Sequence, residues 1–395
     1  MALSVMAQKN EISGTVVSST TGHVVSGASV TAEGHAVVTN DDGFFVLKSD
    51  QPPQAIMVTH VGYRSQRITL DQLPRQQLRI RLEPVVVQLK EVTVMAQNAR
   101  QLVEAAIRRI PQNYSSRPEL YHCFYRETAM KRQHYITVAE GVADMFKTSY
   151  RRDHSSDRVA ISKGRRLLSH KLSDTLGVKV LAGPLVAVQL DLVKNTDLLL
   201  NSNELDNYDL KMEAPTSIGQ RQQFVVSIIP RETMPYPLYF GKLYIDQNTL
   251  AFTRAELSLD MSDRRKATEQ MLVRKPLGVR FKPKELALLV DYRTGDDGIT
   301  RMSYIRTTFR FNCDWKRRLL ATSFTAFCEM VVTSSTNSDV QPIRGRDSFD
   351  QRDAFFDKVD YFRDPAFWQD YNIIEPTETL DKAINRLLKK YNTRD

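Results

Sequence analysis

The stretch TNDDGFFVLKS, residues 39–49, decides how the first part of the chain is read. Two acids and a glycine stand between short apolar runs, so the segment is either a turn or a metal-binding or catalytic loop. A calcium loop needs several oxygen ligands at alternating positions. Here the only nearby donors, Asn40, Asp41 and Asp42, are consecutive. Asp-Gly supplies the positive φ that a tight hairpin requires, and Asn and Asp side chains bond local amides. The sequence therefore predicts a hairpin turn joining HAVVT (35–39) to FFVLKS (44–49), with no chemistry of its own.

Further runs of the same kind flank it: ISGTVV (12–17), ASVTAE (28–33), AIMVTHV (55–61), QRITL (66–70) and LRIRL (78–82). Short strands about ten residues apart, separated by Gly, Pro and Asp, predict a β-sandwich. LRIRL alternates strictly, which puts Leu78, Ile80 and Leu82 in the core and Arg79 and Arg81 in water. Gly62 permits a bend at the end of a strand, and Tyr63 caps the core.

Residues 14–70 resemble the carboxypeptidase-regulatory-like domain of Bacteroidota envelope proteins. The pattern is carried by Gly14, Gly22, Gly27-Ala28-Ser29-Val30, Thr39, Asp42-Gly43-Phe44-Phe45 and Val61-Gly62-Tyr63. The resemblance implies an immunoglobulin- or transthyretin-like sandwich over residues 10–84, exported to the periplasm and without catalysis. LKEVTVMAQ (89–97), in a linker spanning 85–97, is similar to the segment that follows this domain in TonB-dependent transporters. Residues 98–395 are nevertheless too few for a plug and a barrel of about 22 strands. The opening MALSVMA (1–7) resembles the end of a secretory signal peptide cleaved after Ala7.

The chain has 395 residues, 42% hydrophobic and 26% charged, with a formal charge of +9. No apolar run reaches the ~18 residues of a membrane span. The basic clusters Lys163–Arg166, Arg264–Lys266 and Lys316–Arg318 are scattered and read as loop tips. That argues against a nucleic-acid partner, which would gather them on one stripe, and leaves attraction to an anionic membrane surface. Cys123, Cys313 and Cys328 are an odd set, read as three buried free thiols.

Past the linker, Leu102, Val103, Ala106, Ile107 and Ile110 repeat at helical spacing, and Pro111 ends the helix. Residues 119–150 read as two long strands with a turn near Lys131-Arg132-Gln133. RVAISKGRRLL (158–168) reads as a third, and 184–200 as a helix. Seven long strands follow up to residue 333 with short connections, predicting sequential antiparallel pairing. On LAFTRAELSL (250–259), Ala251, Thr253, Ala255, Leu257 and Leu259 are predicted to share one face and Phe252, Arg254, Glu256 and Ser258 the other, one face buried and the other wet or lining a cavity. Strands this long coil, giving a curved sheet or half-barrel. The turn GKLYIDQNT (241–249) is similar to a hairpin of periplasmic lipoprotein carriers.

Residues 355–392 gather Phe355, Phe356, Tyr361, Phe362, Phe367, Trp368 and Tyr371 ahead of a helix at 377–391, whose stripe is Leu380, Ala383, Ile384, Leu387, Leu388 and Tyr391. With Phe124–Glu127 this ending resembles that of uncharacterised Bacteroidota proteins. Phe367, Trp368 and Tyr371 are read as docking aromatics of a latch.

Catalytic motifs are absent from the sequence. All seven histidines lie at or before residue 170, none begins an H-E-x-x-H or H-x-x-E, and there is no G-x-S-x-G, Walker loop, G-x-G-x-x-G or CxxC. His122 and Cys123 point to opposite faces of a strand. His154-x-x-Asp157 reads as solvent-exposed. Glu127 and Glu140, on facing strands, are the one candidate carboxylate site, with an expected offset of ~10 Å against the ~5 Å of a retaining glycosidase.

The expectation is a mainly β protein: an N-terminal sandwich, then a large curved antiparallel sheet (half-barrel, 98–395) with a few helices. Its function would be periplasmic or outer-membrane-associated binding or scaffolding of a lipid, glycan or envelope component, with no cofactor or metal. A carboxylate hydrolase in the sheet's concavity and a surface adhesin are the alternatives.

Overall fold

The computed structural model describes residues 9–71, 75–85, 98–169, 178–180, 182–315, 321–350, 353–361 and 367–392. The expected signal remnant (1–7), most of the linker including 89–97, and the basic turn at Lys316 lie outside the described residues.

All seven predicted N-terminal runs are strands: β1 (Asn10–Ser18), β2 (Ser29–Ala32), β3 (His35–Val38), β4 (Phe44–Ser49), β5 (Ala55–Thr59), β6 (Gln66–Thr69) and β7 (Leu78–Leu82). They form two sheets, ordered β4-β1-β7 and β3-β2-β5-β6. Ile12, Val16, Val30, Phe45, Leu47, Val58 and Ile80 pack between them. β7 buries Leu78, Ile80 and Leu82 and exposes its two arginines, as alternation requires.

The Asp42-Gly43 turn differs from its expected role. It does not close a hairpin in one sheet, because β3 belongs to the four-stranded sheet and β4 to the three-stranded one. The Gly43 amide donates to Asn40 O at 2.9 Å. Only Gly43 adopts positive φ, at 73°. A Cβ there would meet Val16 O at 2.7 Å, so glycine is required.

The second part opens with α1 (Ala99–Arg108) and α2 (Ile110–Asn113), then β8 (Glu119–Lys131), β9 (His134–Lys147), β10 (Arg158–Leu168) and β11 (Lys179–Val180). Next come α3 (Pro184–Gln189), α4 (Ser202–Leu205), β12 (Tyr208–Ile218), β13 (Arg221–Pro230), β14 (Tyr239–Asp246) and β15 (Phe252–Leu259). After α5 (Arg264–Met271) and β16 (Leu272–Arg274) run β17 (Val279–Thr294), β18 (Thr300–Trp315) and β19 (Thr322–Thr336). α6 (Phe355–Lys358), β20 (Asp360–Tyr361) and α7 (Glu378–Asn392) complete the chain.

The main sheet has the order β12-β13-β14-β15-β17-β18-β19-β8-β9-β10-β20. Ten strands are antiparallel, and β20 adds parallel to β10. The sheet is open, with β12 and β20 at its edges. Most neighbours are consecutive strands; the exceptions are β15 beside β17, β10 beside β20, and β19, which returns to β8 with Phe324 opposite Lys131.

One face of the sheet, here the inner face, packs with α1, residues 184–205 and α5 into the main core; Leu102, Val103, Leu192, Leu200 and Met271 meet Tyr121, Leu257, Leu288, Phe309 and Met330 there. The helix expected over 184–200 stops at Gln189. Asp191 is drawn into buried bonds described below, which turn the backbone. Phe252 also joins the inner face, against expectation. A register shift where Tyr244 and Ile245 meet Arg254 and Phe252 changes the alternation.

Two basic clusters expected at loop tips are elsewhere. Lys163–Arg166 lies within β10, and Arg264–Lys266 opens α5, capped by the Asp263 side chain. The three cysteines are buried and unbridged, as the odd count implied. Among the described residues, no helix is long and apolar enough to cross a membrane.

Candidate functional site

The outer face of the main sheet is where the chain's polar chemistry concentrates. The sandwich and the C-terminal segment both dock there, and the turn at residues 40–43 holds them together. Asp41 pairs with Arg306 of β18 at 3.0 Å. Asp42 Oδ2 accepts the backbone amide of Glu378 at 2.7 Å, capping the first turn of α7. The Asn40 amide donates to the carbonyls of Glu375 and Pro376, while its oxygen accepts from Asp42 N and Phe44 N. The turn is thus a clasp between two domains. On β4, the Lys48 backbone exchanges two bonds with the Asn372 side chain, and Lys48 Nζ donates to Trp368 O.

Beneath the clasp lies Glu140, fully buried on β9. Arg126 and Arg165 each approach one of its oxygens at 2.7 Å. The Trp368 indole donates to it at 3.2 Å, and Arg126 also donates to Ile374 O. Burial alone would raise this carboxyl; the two guanidinium groups overcome that and hold it down at about 2. Glu140 is therefore an anchored anion, unsuited to moving protons near neutral pH.

The three docking aromatics form the latch around it. Trp368 is buried edge-on to Phe124, with ring centroids 5.5 Å apart. Phe367 and Tyr371 flank it at 4.6 and 6.2 Å. Lys163 Nζ sits 4.2 Å above the Phe367 ring, and Arg165 lies 5.1 Å from that of Trp368. This is why the basic run on β10 is not a surface feature: its cations stack on the latch.

Glu127 is elsewhere. In the observed register Arg126 faces Glu140 and Glu127 faces Ala139, so the two acids project from opposite faces of the sheet. The expected carboxylate site is not assembled. Glu127 accepts from the Tyr125 hydroxyl at 2.7 Å. Burial lifts it to about 7, offset in part by that bond.

A second polar cluster, missed in the sequence, is sealed inside. Asp191 accepts from Lys147 Nζ (2.6 Å), Tyr150 OH (2.8 Å) and Tyr292 OH (2.9 Å). Asp157 accepts from the amide and hydroxyl of Thr148, and Lys147 and Lys194 both lie 3.8 Å from its carboxylate. Asp157, expected in solvent, is fully buried. Burial draws Lys194 down to about 8 against the pull of Asp157. Two cations match two anions, and the network ties the end of β9 to the turn after α3. A legible signal existed: Asp191 is a lone acid in an apolar run, and such an acid needs a buried partner.

Two recesses accompany these clusters. The one at the domain junction, about 40 Å³, is lined by Asp41, Arg126, Tyr135, Arg306, Glu329 and Glu375. It has room for about three waters, not a substrate. Glu375 on its wall is raised to about 7 by burial, against Lys48 and Arg126. The other, about 330 Å³, opens at the far end of the sheet among Glu119, Asp297, Arg301, Ser335 and Asn337. Two of its three acids, Glu119 and Asp297, are gripped by Arg301 at 2.7 Å each, and Asp296 is the third. Among the described residues no group of three or more His, Cys, Asp or Glu is arranged to hold a metal.

Comparison with known proteins places the N-terminal sandwich. Residues 12–94 match the CarboxypepD_reg-like domain. No curated protein matches the chain. Among solved structures, the chain is similar to a DUF1329 family protein from Desulfovibrio piger, with 11% identity over 62% of this chain and 95% of that one (TM-score 0.27). A LolA superfamily protein from Nitrosomonas europaea is similar with 13% identity over 59% and 94% (TM-score 0.23).

Proposed function

We propose that this chain is a non-catalytic binding or scaffolding protein of the cell envelope. The carrying observation is that the chain itself occupies the inner face of the main sheet and the part of its outer face over β8, β18 and β19. The inner face is packed by α1, residues 184–205 and α5, and the sandwich and the latch cover that part of the outer face, while Ile229 and Phe240 on β13 and β14 stay exposed. Its buried ionic groups are spent on fastening, Glu140 on two arginines and Asp191 on a lysine and two tyrosines, and the more exposed Asp41 is held by Arg306. A body so closed meets its partner, whether outer-membrane component, lipid or glycan, at exposed edges and loops. The carboxypeptidase-regulatory-like sandwich supports an exported location.

The test is twofold. Cell fractionation should place the protein with the envelope, and cross-linking there should trap a reproducible partner. The purified full chain should not turn over ester or glycoside substrates. Turnover that Glu127→Gln abolishes would overturn the reading, as would a cytoplasmic location.

A further inference from the structure

Six large hydrophobic side chains are strongly exposed among the described residues, and five of them, Ile229, Tyr236, Phe240, Val273 and Leu277, fall between residues 229 and 277. They belong to one end of the sheet. Ile229 and Phe240 lie on paired strands β13 and β14, whose connection carries Tyr236. That connection is tied to α5 where Lys266 Nζ donates to Met234 O. α5 leads into β16 and the loop 275–278, at whose tip Leu277 is 103% exposed.

The same region is cationic. Between Asp263 and Lys284 there are eight Lys and Arg residues against two acids, Asp263 and Glu269. Arg265 and Lys266 pair with these acids, and Lys282 with Asp314. Arg264, Arg274, Arg280 and Lys284 are exposed, and no ion pair joins them to another described residue. Exposed apolar side chains in a cluster mark an interaction surface. Unpaired cations around a projecting leucine and valine match one partner chemistry: a lipid surface with anionic headgroups. There each Lys or Arg gains from the surface potential, and the apolar tips enter the headgroup boundary.

We propose that this end of the sheet, with the loop 275–278 as its tip, is a peripheral attachment site for an anionic phospholipid surface. This deepens the envelope-binding reading by naming a partner class. It stands on a surface separate from the clasp, so its failure would leave that reading intact.

The experiment is flotation of the full chain with phosphatidylcholine vesicles containing about one third phosphatidylglycerol, beside pure phosphatidylcholine vesicles. The wild type should float with the anionic vesicles, not with the neutral ones, and should be released by 0.5 M salt, which shortens the screening length to about 4 Å. The triple variant Arg264→Gln, Arg274→Gln, Arg280→Gln should weaken binding by about a hundredfold. Val273→Ser with Leu277→Ser should weaken it by about tenfold. Both sets are exposed, so the fold should survive, and Val24→Ser on the sandwich, the sixth exposed position, should bind as wild type. Wild type that fails to float, or variants that float equally well, would overturn the proposal. So would concentration-dependent self-association lost in Leu277→Ser without flotation, which would make the patch a protein interface.

Discussion

Replacing Glu140 with glutamine should separate the latch from the sheet at a cost that the structure specifies. The side chain keeps its shape but loses the charge that two buried guanidinium groups face. Glu140 titrates at about 2 in the folded protein against an ordinary 4.5. At ~1.36 kcal/mol per pH unit, that difference is about 3 kcal/mol. It agrees with the lower end of the ~3–5 kcal/mol lost when one member of a buried pair is removed. Because the folded value is depressed, the contribution is full above about 4.5 and fades as pH falls from 4.5 through 2. Trp368 reports directly, since its indole donates to this carboxylate. The chain has two tryptophans, so a Trp315→Phe background leaves Trp368 as the sole indole. In urea at pH 7, with an m-value of about 3 kcal/mol/M, the fluorescence midpoint of Glu140→Gln should fall by about 1 M. The deficit should shrink at pH 3. A pH 7 midpoint within ~0.2 M of the parent would refute the electrostatic anchor, as would a deficit unchanged at pH 3.

Other expectations are independent of that one. Asp42→Ala removes the side chain that caps α7 and should cost about 1 kcal/mol, visible as faster amide exchange in the first turn of α7 while exchange in β17 and β18 stays unchanged. His60, on the sandwich near Arg254, is lowered to about 4 chiefly by burial. A free chain protonates it near 6.5, so stability should decline as pH falls from 6.5 to 4 and then level off; NMR titration of the ring would check this. Gly141 and Gly164 pair across β9 and β10 beneath Phe355 and Val359. A Cβ on Gly164 would stand 2.2 Å from Val359 Cγ1, so Gly164→Ala should cost about 1–3 kcal/mol and raise exchange across residues 353–359. By contrast Arg310, half exposed and paired with Glu285, should tolerate Arg310→Ala with a change under about 1 kcal/mol in the same urea titration.

What could be seen in the sequence was local. Strand periodicity located β1 to β7, the β8–β9 hairpin and the long strands β12 to β15 and β17 to β19, because alternation is written in neighbouring residues. Turn chemistry placed Asp42-Gly43 for the same reason. What stayed hidden was set by contacts distant in sequence. Asp41 meets Arg306 and Asp42 meets Glu378 across hundreds of residues, and nothing in TNDDG announces either partner. The relation of Glu127 to Glu140 depended on register, which a shift between Ala129 and Met130 altered; a slip of one residue exchanges the faces of a strand. The cations of Lys163–Arg166 looked like a surface run because stacking on Phe367 and Trp368 leaves no local trace.

The return of β19 to β8 bears on how the molecule is built. As the chain is made, β8 can pair with β9 at once, but its other side remains a bare ribbon of amides and carbonyls until residues 322–336 arrive. Such an edge invites pairing with strangers, and closing it waits on a very long loop, which slows folding. The second domain is therefore completed by its late strands seeking an early one, and Trp368, which packs over the join on Phe124 and Val331, follows later still in the chain.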